Sequence, residues 1–280
     1  MSLLATQDLT IRFGGHVAVN AVTCAFQPGT LTAIVGPNGA GKTTYFNLIS
    51  GQLKASAGRV TLDGHDLSSL SASQRTRAGL GRAFQLTNLF PRLTVLENVR
   101  LAVQAARAGA HRRGLNLWSI WSDHRGLTLR AHEILEAVAM AAKQEELVAN
   151  LPHGDQRKLE VALLMALEPG VFMFDEPTAG MNAAEAPVIL DLIRNLKADK
   201  SKTILLVEHK MDVVRELADR IIVLHNGTLV ADGDPATVIA SPIVQEAYLG
   251  VAPTSARAEP VLRQAEGERE EPAGDHGATP

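Results

Sequence analysis

Cysteine is nearly absent from this chain. The single thiol among 280 residues, Cys24, cannot close an internal disulfide, and that scarcity fits a reducing compartment. It lies in the apolar run at 22–26, which marks it as a core residue rather than a reactive one. An excess of positive charge is missing as well. With 27 basic and 30 acidic residues the net charge is −3, so the balance gives no ground for a nucleic-acid partner. Long apolar runs are also lacking. The best candidate, residues 161–174, is broken by Glu168, Pro169 and Gly170, so no segment is expected to span a bilayer. Residues 1–8 lack the basic start and long apolar centre of a secretory signal, and no internal repeat is found. What remains, 46% hydrophobic and 20% charged residues, is the composition of a folded protein with a sizeable core. Such a chain would not cross a membrane by itself, but it is free to dock onto a membrane protein.

The most informative stretch is GPNGAGKTT at 36–44, which fits the phosphate-binding pattern G-x-x-x-x-G-K-[ST] in full. An apolar strand at 31–35 leads into it and a helix follows it, the context the pattern requires. Gly36, Pro37, Asn38, Gly39, Ala40, Gly41, Lys42, Thr43 and Thr44 are therefore the expected nucleotide contacts. Glycines let the backbone turn its N–H groups onto one phosphate, and the helix start adds partial positive charge there. Lys42 reaches the terminal phosphates, and the Thr43 hydroxyl is a magnesium ligand.

Two amphipathic β runs, at 5–13 and 17–26, precede the loop with Gly14 and Gly15 between them as a hairpin signal. A further strand at 58–64 ends in an Asp-Gly turn. A short polar helix is expected at 72–79 and a strand at 81–85. The stretch 94–140 is mostly helical, opened by a capping box of Thr94 and Glu97, and the apolar 115–121 is placed in the core or against a partner. Strands at 171–174, 203–207 and 221–224 then alternate with helices at 183–196 and 211–217. That alternation predicts an α/β fold with a parallel sheet covered by helices. Beyond residue 250 the composition turns to Ala, Pro, Glu and Arg, so 251–280 is expected to be a disordered tail.

The strand at 171–174 runs into Asp175 and Glu176. Such a pair can merely cap the next helix. Beside a phosphate loop, Asp175 is expected to hold magnesium and Glu176 to polarise the water that attacks the γ-phosphate. Lys42 and Asp175 are separated by 133 positions, long for a minimal nucleotide-binding core, so a helical subdomain is expected to be inserted at about 86–155.

These motifs, in this order over residues 3–250, resemble the ATP-binding-cassette ATPases. The resemblance implies a P-loop NTPase core with a parallel sheet, an N-terminal antiparallel β subdomain and an inserted helical subdomain. It implies further roles. Phe13 would stack on adenine. Gln85 would contact magnesium and signal to the transmembrane partner, and it joins Lys42, Glu176 and His209 in the catalytic set. LPHGDQ at 151–156 is similar to the family signature Leu-Ser-Gly-Gly-Gln, so Gly154, Asp155 and Gln156 would face nucleotide. Residues 179–182 resemble the loop after the second acid. His209 would be the switch histidine on the γ-phosphate, although a lone histidine is more often structural. The cofactors implied are ATP and magnesium.

FGG at 13–15 with AVN at 18–20, QLTNLF at 85–90 and DEPTAGM at 175–181 look like the ATPase of branched-chain amino acid uptake systems. That resemblance implies a second, different ATPase subunit, two transmembrane permeases, an external solute-binding protein, and a peripheral place on the cytoplasmic face of the inner membrane. An exporter or lipid transporter ATPase and a soluble ATP-dependent clamp remain as alternatives. One departure stands out. Pro152 occupies the serine position of the signature and offers neither hydroxyl nor backbone N–H. Gly154, a helix starting near Asp155 and His153 are the remaining donors toward a phosphate held by the partner. Leu89 and Phe90 are expected to be exposed, on a surface at 86–98 that receives a permease helix.

Overall fold

A computed structural model describes residues 3–83, 89–110, 124–181, 185–242 and 244. The N-terminal runs form the expected hairpin. β1 (Leu4–Phe13) pairs antiparallel with β2 (His16–Phe26) across the Gly14 turn. β1 also pairs with β4 (Ala57–Leu62), which turns at Asp63-Gly64 into the short β5 (His65–Asp66). This antiparallel sheet has the order β2-β1-β4-β5. Its inner face carries Leu4, Leu9, Ile11, Val22 and Phe26, all buried.

The second sheet holds β3 (Leu31–Val35), β6 (Leu80–Ala83), β7 (Val171–Asp175), β8 (Thr203–Val207), β9 (Arg220–His225) and β10 (Thr228–Gly233), in the order β10-β9-β3-β8-β7-β6. All neighbours run parallel except β10, which returns antiparallel beside β9. β3 and β8 are buried along their whole length, as a sheet covered on both faces requires. Register places Ile34 and Asp175 both opposite Val207, so β3, β7 and β8 end together. The residues that follow each strand therefore emerge along one edge, where open α/β sheets bind ligands.

α1 (Lys42–Ser50) packs Tyr45, Phe46, Leu48 and Ile49 between the two sheets. The Tyr45 hydroxyl is paired with Thr6 Oγ1 at 2.8 Å, so its buried oxygen is satisfied. α2 (Ala72–Arg77) follows β5, and its Arg75 caps the end of α1 by donating from Nη1 to the carbonyls of Leu48 and Ile49, each at 2.7 Å. Between β6 and β7 lie α3 (Val95–Ala110), α4 (His124–Ala137) and α5 (His153–Ala166), joined through Val95, Val99, Leu127, Ile134 and Leu159 in one buried cluster. The predicted capping box opens α3: Thr94 N–H donates to Glu97 Oε2 at 2.8 Å and Glu97 N–H to Thr94 Oγ1 at 3.2 Å. α6 (Ala186–Ala198) and α7 (Met211–Leu217) flank β8 in sequence, and α8 (Pro235–Ala240) follows β10.

Several expectations shift. The helix placed at 183–196 is described from 186 and runs two residues further, and the strand placed at 81–85 is described over 80–83. β10 and α8 were not foreseen. The first follows an Asn226-Gly227 turn with positive φ at both residues, and the second is capped by Asp234 accepting from Thr237 N–H at 3.0 Å. Residues 115–121 and 251–280 lie outside the described residues. No described helix is long and apolar enough to cross a membrane.

Candidate nucleotide-binding site

The phosphate loop joins β3 to α1 with positive φ at Gly36 (153°), Gly39 (80°) and Gly41 (96°). Two of these glycines are also forced by space. A Cβ on Gly36 would lie 2.2 Å from the Leu224 carbonyl, and one on Gly41 would lie 2.6 Å from the Ala18 carbonyl. The turn after β9 braces the loop, since Gly227 N–H donates to Ala40 O at 3.0 Å and Gly227 O accepts from Asn20 N–H at 2.8 Å. Lys42 Nζ curls back onto the carbonyls of Gly36 and Pro37, at 2.7 and 3.0 Å. Burial pushes its pKa down, while Glu176 and Asp175 pull it upward. Those carbonyls are neutral acceptors, so a phosphate would take the ammonium from them.

Asp175 ends β7 and is ion-paired through Oδ2 with Arg82 Nη2 at 2.8 Å. Burial raises the Asp175 pKa above the usual carboxylate range. The Arg82 guanidinium opposes that rise and Glu176 adds to it. Arg82 also donates to Asn47 Oδ1 and Ser50 Oγ on α1 and lies 4.7 Å over the Phe46 ring. It therefore ties the acid to the helix that leaves the phosphate loop. Glu176 has φ 48°, a left-handed conformation that costs a non-glycine residue about 1–3 kcal/mol. A backbone bond from Glu176 N–H to Val207 O at 2.9 Å holds it there. The next strand supplies His209, whose Nδ1 is 3.7 Å from Glu176 Oε1. Lys42, Asp175, Glu176 and His209 thus share the sheet edge, with His209 and Glu176 accessible to ligand.

Phe13 ends β1 with half its surface exposed, as an aromatic platform must be. The signature segment is elsewhere, at the start of α5. The helix begins at His153, with Pro152 as N-cap and no side-chain cap bond, rather than near Asp155. The Asp155 carboxylate is committed to Lys143 at 2.5 Å and Lys158 at 3.0 Å, and Gln156 Nε2 donates to Leu151 O at 2.9 Å. Any contact of Asp155 with nucleotide would fall to its backbone. The Glu185 carboxylate lies over Gly154, where a Cβ would come within 2.3 Å of it and would require that flexible side chain to move. Gln85 and Asn182 lie outside the described residues. The expected apolar patch is corrected in part. Leu89 is half-buried against the core, Asn98 is buried with its side chain bonded to both backbone groups of Phe90, and Phe90 stays exposed.

The donor set fits magnesium. Thr43 is exposed at the loop–helix junction, and Asp175 presents a carboxylate beside the lysine, both hard oxygen donors. Residues missed by sequence reasoning are Arg82 and Glu208, charged groups placed in or directly after apolar strands. That placement is the signal that would have found them.

A braced phosphate loop, a paired acid at the end of β7, one strand beyond β8, and an accessible second acid define a nucleoside-triphosphatase of the P-loop class. Comparison with known proteins narrows this. The family model described as "ABC transporter" matches residues 19–179, and one described as "Branched-chain amino acid ATP-binding cassette transporter" matches 228–253. The high-affinity branched-chain amino acid transport ATP-binding protein LivG of Escherichia coli is 38% identical over 89% of this chain and 98% of its own. BraF of Pseudomonas aeruginosa, described in the same words, is 35% identical over 89% and 98%. Among solved structures, the ADP conformation of MJ1267, an ATP-binding cassette of an ABC transporter, superposes with TM-score 0.73 at 29% identity, covering 90% of this chain and 100% of that one. The chain belongs to the ATP-binding-cassette transporter ATPases. It is an ATP-binding, ATP-hydrolysing subunit of a membrane transporter.

Proposed function

We propose that this chain powers an importer of branched-chain amino acids or related small solutes. The observation that carries this is the match of residues 228–253 to the branched-chain amino acid cassette family, together with 38% identity to LivG over nearly its whole length. Residues 3–250 are read as one ATPase domain with the helical subdomain inserted at about 86–155. The partners are a second, different ATPase subunit, two transmembrane permeases and an external solute-binding protein, and the complex places this chain on the cytoplasmic face of the inner membrane.

In this reading Phe13 stacks on adenine and residues 36–44 cradle the phosphates with backbone N–H groups. Lys42 exchanges its loop carbonyls for the β- and γ-phosphates. Thr43, Asp175 and Gln85 are the ligands of magnesium, which neutralises charge on those phosphates when bound. Glu176 accepts a hydrogen bond from the attacking water, and His209 contacts the γ-phosphate. The left-handed turn at Glu176 supports this role, because a strained conformation is held only where the fold imposes it. Gly154, Asp155 and Gln156 cover the nucleotide held by the partner ATPase. The exposed Phe90 ring supports permease docking.

The test is reconstitution with the permeases that co-purify with this chain and a branched-chain amino acid binding protein. ATP-driven leucine uptake into proteoliposomes is expected, with Phe90→Asp keeping ATP binding while losing most uptake. Uptake driven only by a solute of another class would overturn the substrate assignment. Unchanged uptake with Phe90→Asp would overturn the docking surface.

A further inference from the structure

β8 is a run of five buried residues, and the residue after it, Glu208, is itself only 1% exposed. A carboxylate at such depth needs donors. Its Oε1 accepts the backbone N–H of His209 at 2.9 Å and of Lys210 at 3.0 Å. Its Oε2 is buried with no hydrogen-bond partner, so a single oxygen gathers both N–H groups of the turn that leads into α7. The same Oε1 lies 3.5 Å from His209 Nδ1, and that nitrogen is 3.7 Å from Glu176 Oε1. On the other side of the turn, Lys210 Nζ reaches Thr178 Oγ1 at 3.4 Å, in the loop that follows Glu176. His209 itself is half-exposed, so the backbone that carries it bears on its direction.

We propose that Glu208 is a positioning residue for His209. Its buried carboxylate clamps the turn after β8 and holds the imidazole beside Glu176, facing the γ-phosphate. Charge-assisted bonds to two successive N–H groups are strong enough to fix a turn that no strand ladder satisfies. The role rests on the reading of His209 as the γ-phosphate contact, and the experiment separates the two.

Turnover of the assembled transporter and ATP binding by the isolated subunit are measured for His209→Ala, Glu208→Ala, Glu208→Gln and the double variant Glu208→Ala/His209→Ala. Glu208→Ala is expected to lower kcat by roughly 10–100-fold, the scale of a lost transition-state contact, while the Kd for ATP changes less than about threefold. Glu208→Gln retains a carbonyl oxygen in the same place and is expected to keep most activity. The double variant should be no slower than His209→Ala, because removing the clamp matters only while the imidazole is present. Should Glu208→Ala fail to fold, Glu208→Asp withdraws the oxygen from both N–H groups, and the same non-additivity is required of it. Multiplying losses, or ATP binding that falls as far as turnover, would reduce Glu208 to a structural role. An active His209→Ala enzyme would instead remove the histidine's own assignment. A slow His209→Ala beside a wild-type Glu208→Ala would sink the clamp alone.

Discussion

The sheet edge and the start of α5 make opposite use of their polar groups. At the sheet edge the reactive side chains are loosely engaged. Lys42 holds only neutral loop carbonyls, and His209 and Glu176 stand accessible to solvent. Their backbones carry the constraint, through positive φ at Gly36, Gly41 and Glu176 and the bond from Glu176 N–H to Val207 O. At the start of α5 the side chains are already committed. Asp155 serves Lys143 and Lys158, Gln156 serves Leu151, and the Glu185 carboxylate presses on Gly154. Pro152 contributes no donor at all. The first region can rearrange around a phosphate and is the proposed seat of the chemistry. The second is a helix start that offers an anion its backbone N–H groups, the helix dipole and the exposed His153 imidazole.

The sharpest way to break this contrast is at Glu176. Glu176→Gln keeps the shape and the left-handed turn but removes the charge proposed to polarise water. Turnover is expected to fall by at least about 100-fold, with ATP still bound. Single-turnover hydrolysis and nucleotide retention measure the two effects. Near-normal hydrolysis would move the general base elsewhere on the sheet edge.

A smaller effect is expected at Pro152, and only in one of the two sites of a pair. In the proposed pair the phosphate loop of one subunit faces the signature of the other. In a heterodimer only the site built on the partner's phosphate loop lacks the serine hydroxyl. That hydroxyl would supply one charge-assisted hydrogen bond, on the order of 1.5–3 kcal/mol or roughly 10–100-fold in rate. Pro152→Ser should therefore speed that site and leave the site on Lys42 and Glu176 unchanged. The comparison uses complexes in which one or the other phosphate-loop lysine is removed. Equal rates from the two, before and after the substitution, would show that His153 or the backbone N–H groups at the start of α5 suffice.

Much of this was legible in the sequence wherever a short apolar run has a single register. β3, β8 and α7 fall on their expected residues, and β7 gains only Asp175. The phosphate loop and the acid pair are local patterns and were read directly. The left-handed turn at Glu176 was not legible, because it depends on a bond to another strand. Arg75, Arg82 and Glu208 were missed for a different reason. Pattern reading assigns charges to the surface, and these three are buried where they satisfy carbonyls, an acid and backbone N–H groups. β10 had a clear Asn-Gly signal, but its half-buried residues lack the alternation that marks a strand.

The smallest effect tests whether the start of α5 is as rigid as its contacts imply. Burial raises the Asp155 pKa, but the bonds from Lys143 and Lys158 outweigh it and leave the carboxyl below its ordinary value. A depressed folded-state pKa means that this carboxylate contributes stability above the unfolded value of about 4, and that the contribution is lost as pH falls through the folded one. Asp155→Asn keeps the size of the side chain but leaves two lysines without their acid. Lys143 is solvated and its bond is screened by water, so the loss near neutral pH is expected to be modest and to fall mainly on the Lys158 contact. Chemical denaturation between pH 3 and 7, in steps of roughly one unit around the carboxylate range, reads both consequences. The wild type should lose stability to acid more steeply than Asp155→Asn, and the two should converge at the acid end. Parallel curves would mean that the lysine contacts add nothing to folding. The helix start facing the partner's nucleotide would then be held by the packing of Leu159 and Val161 alone.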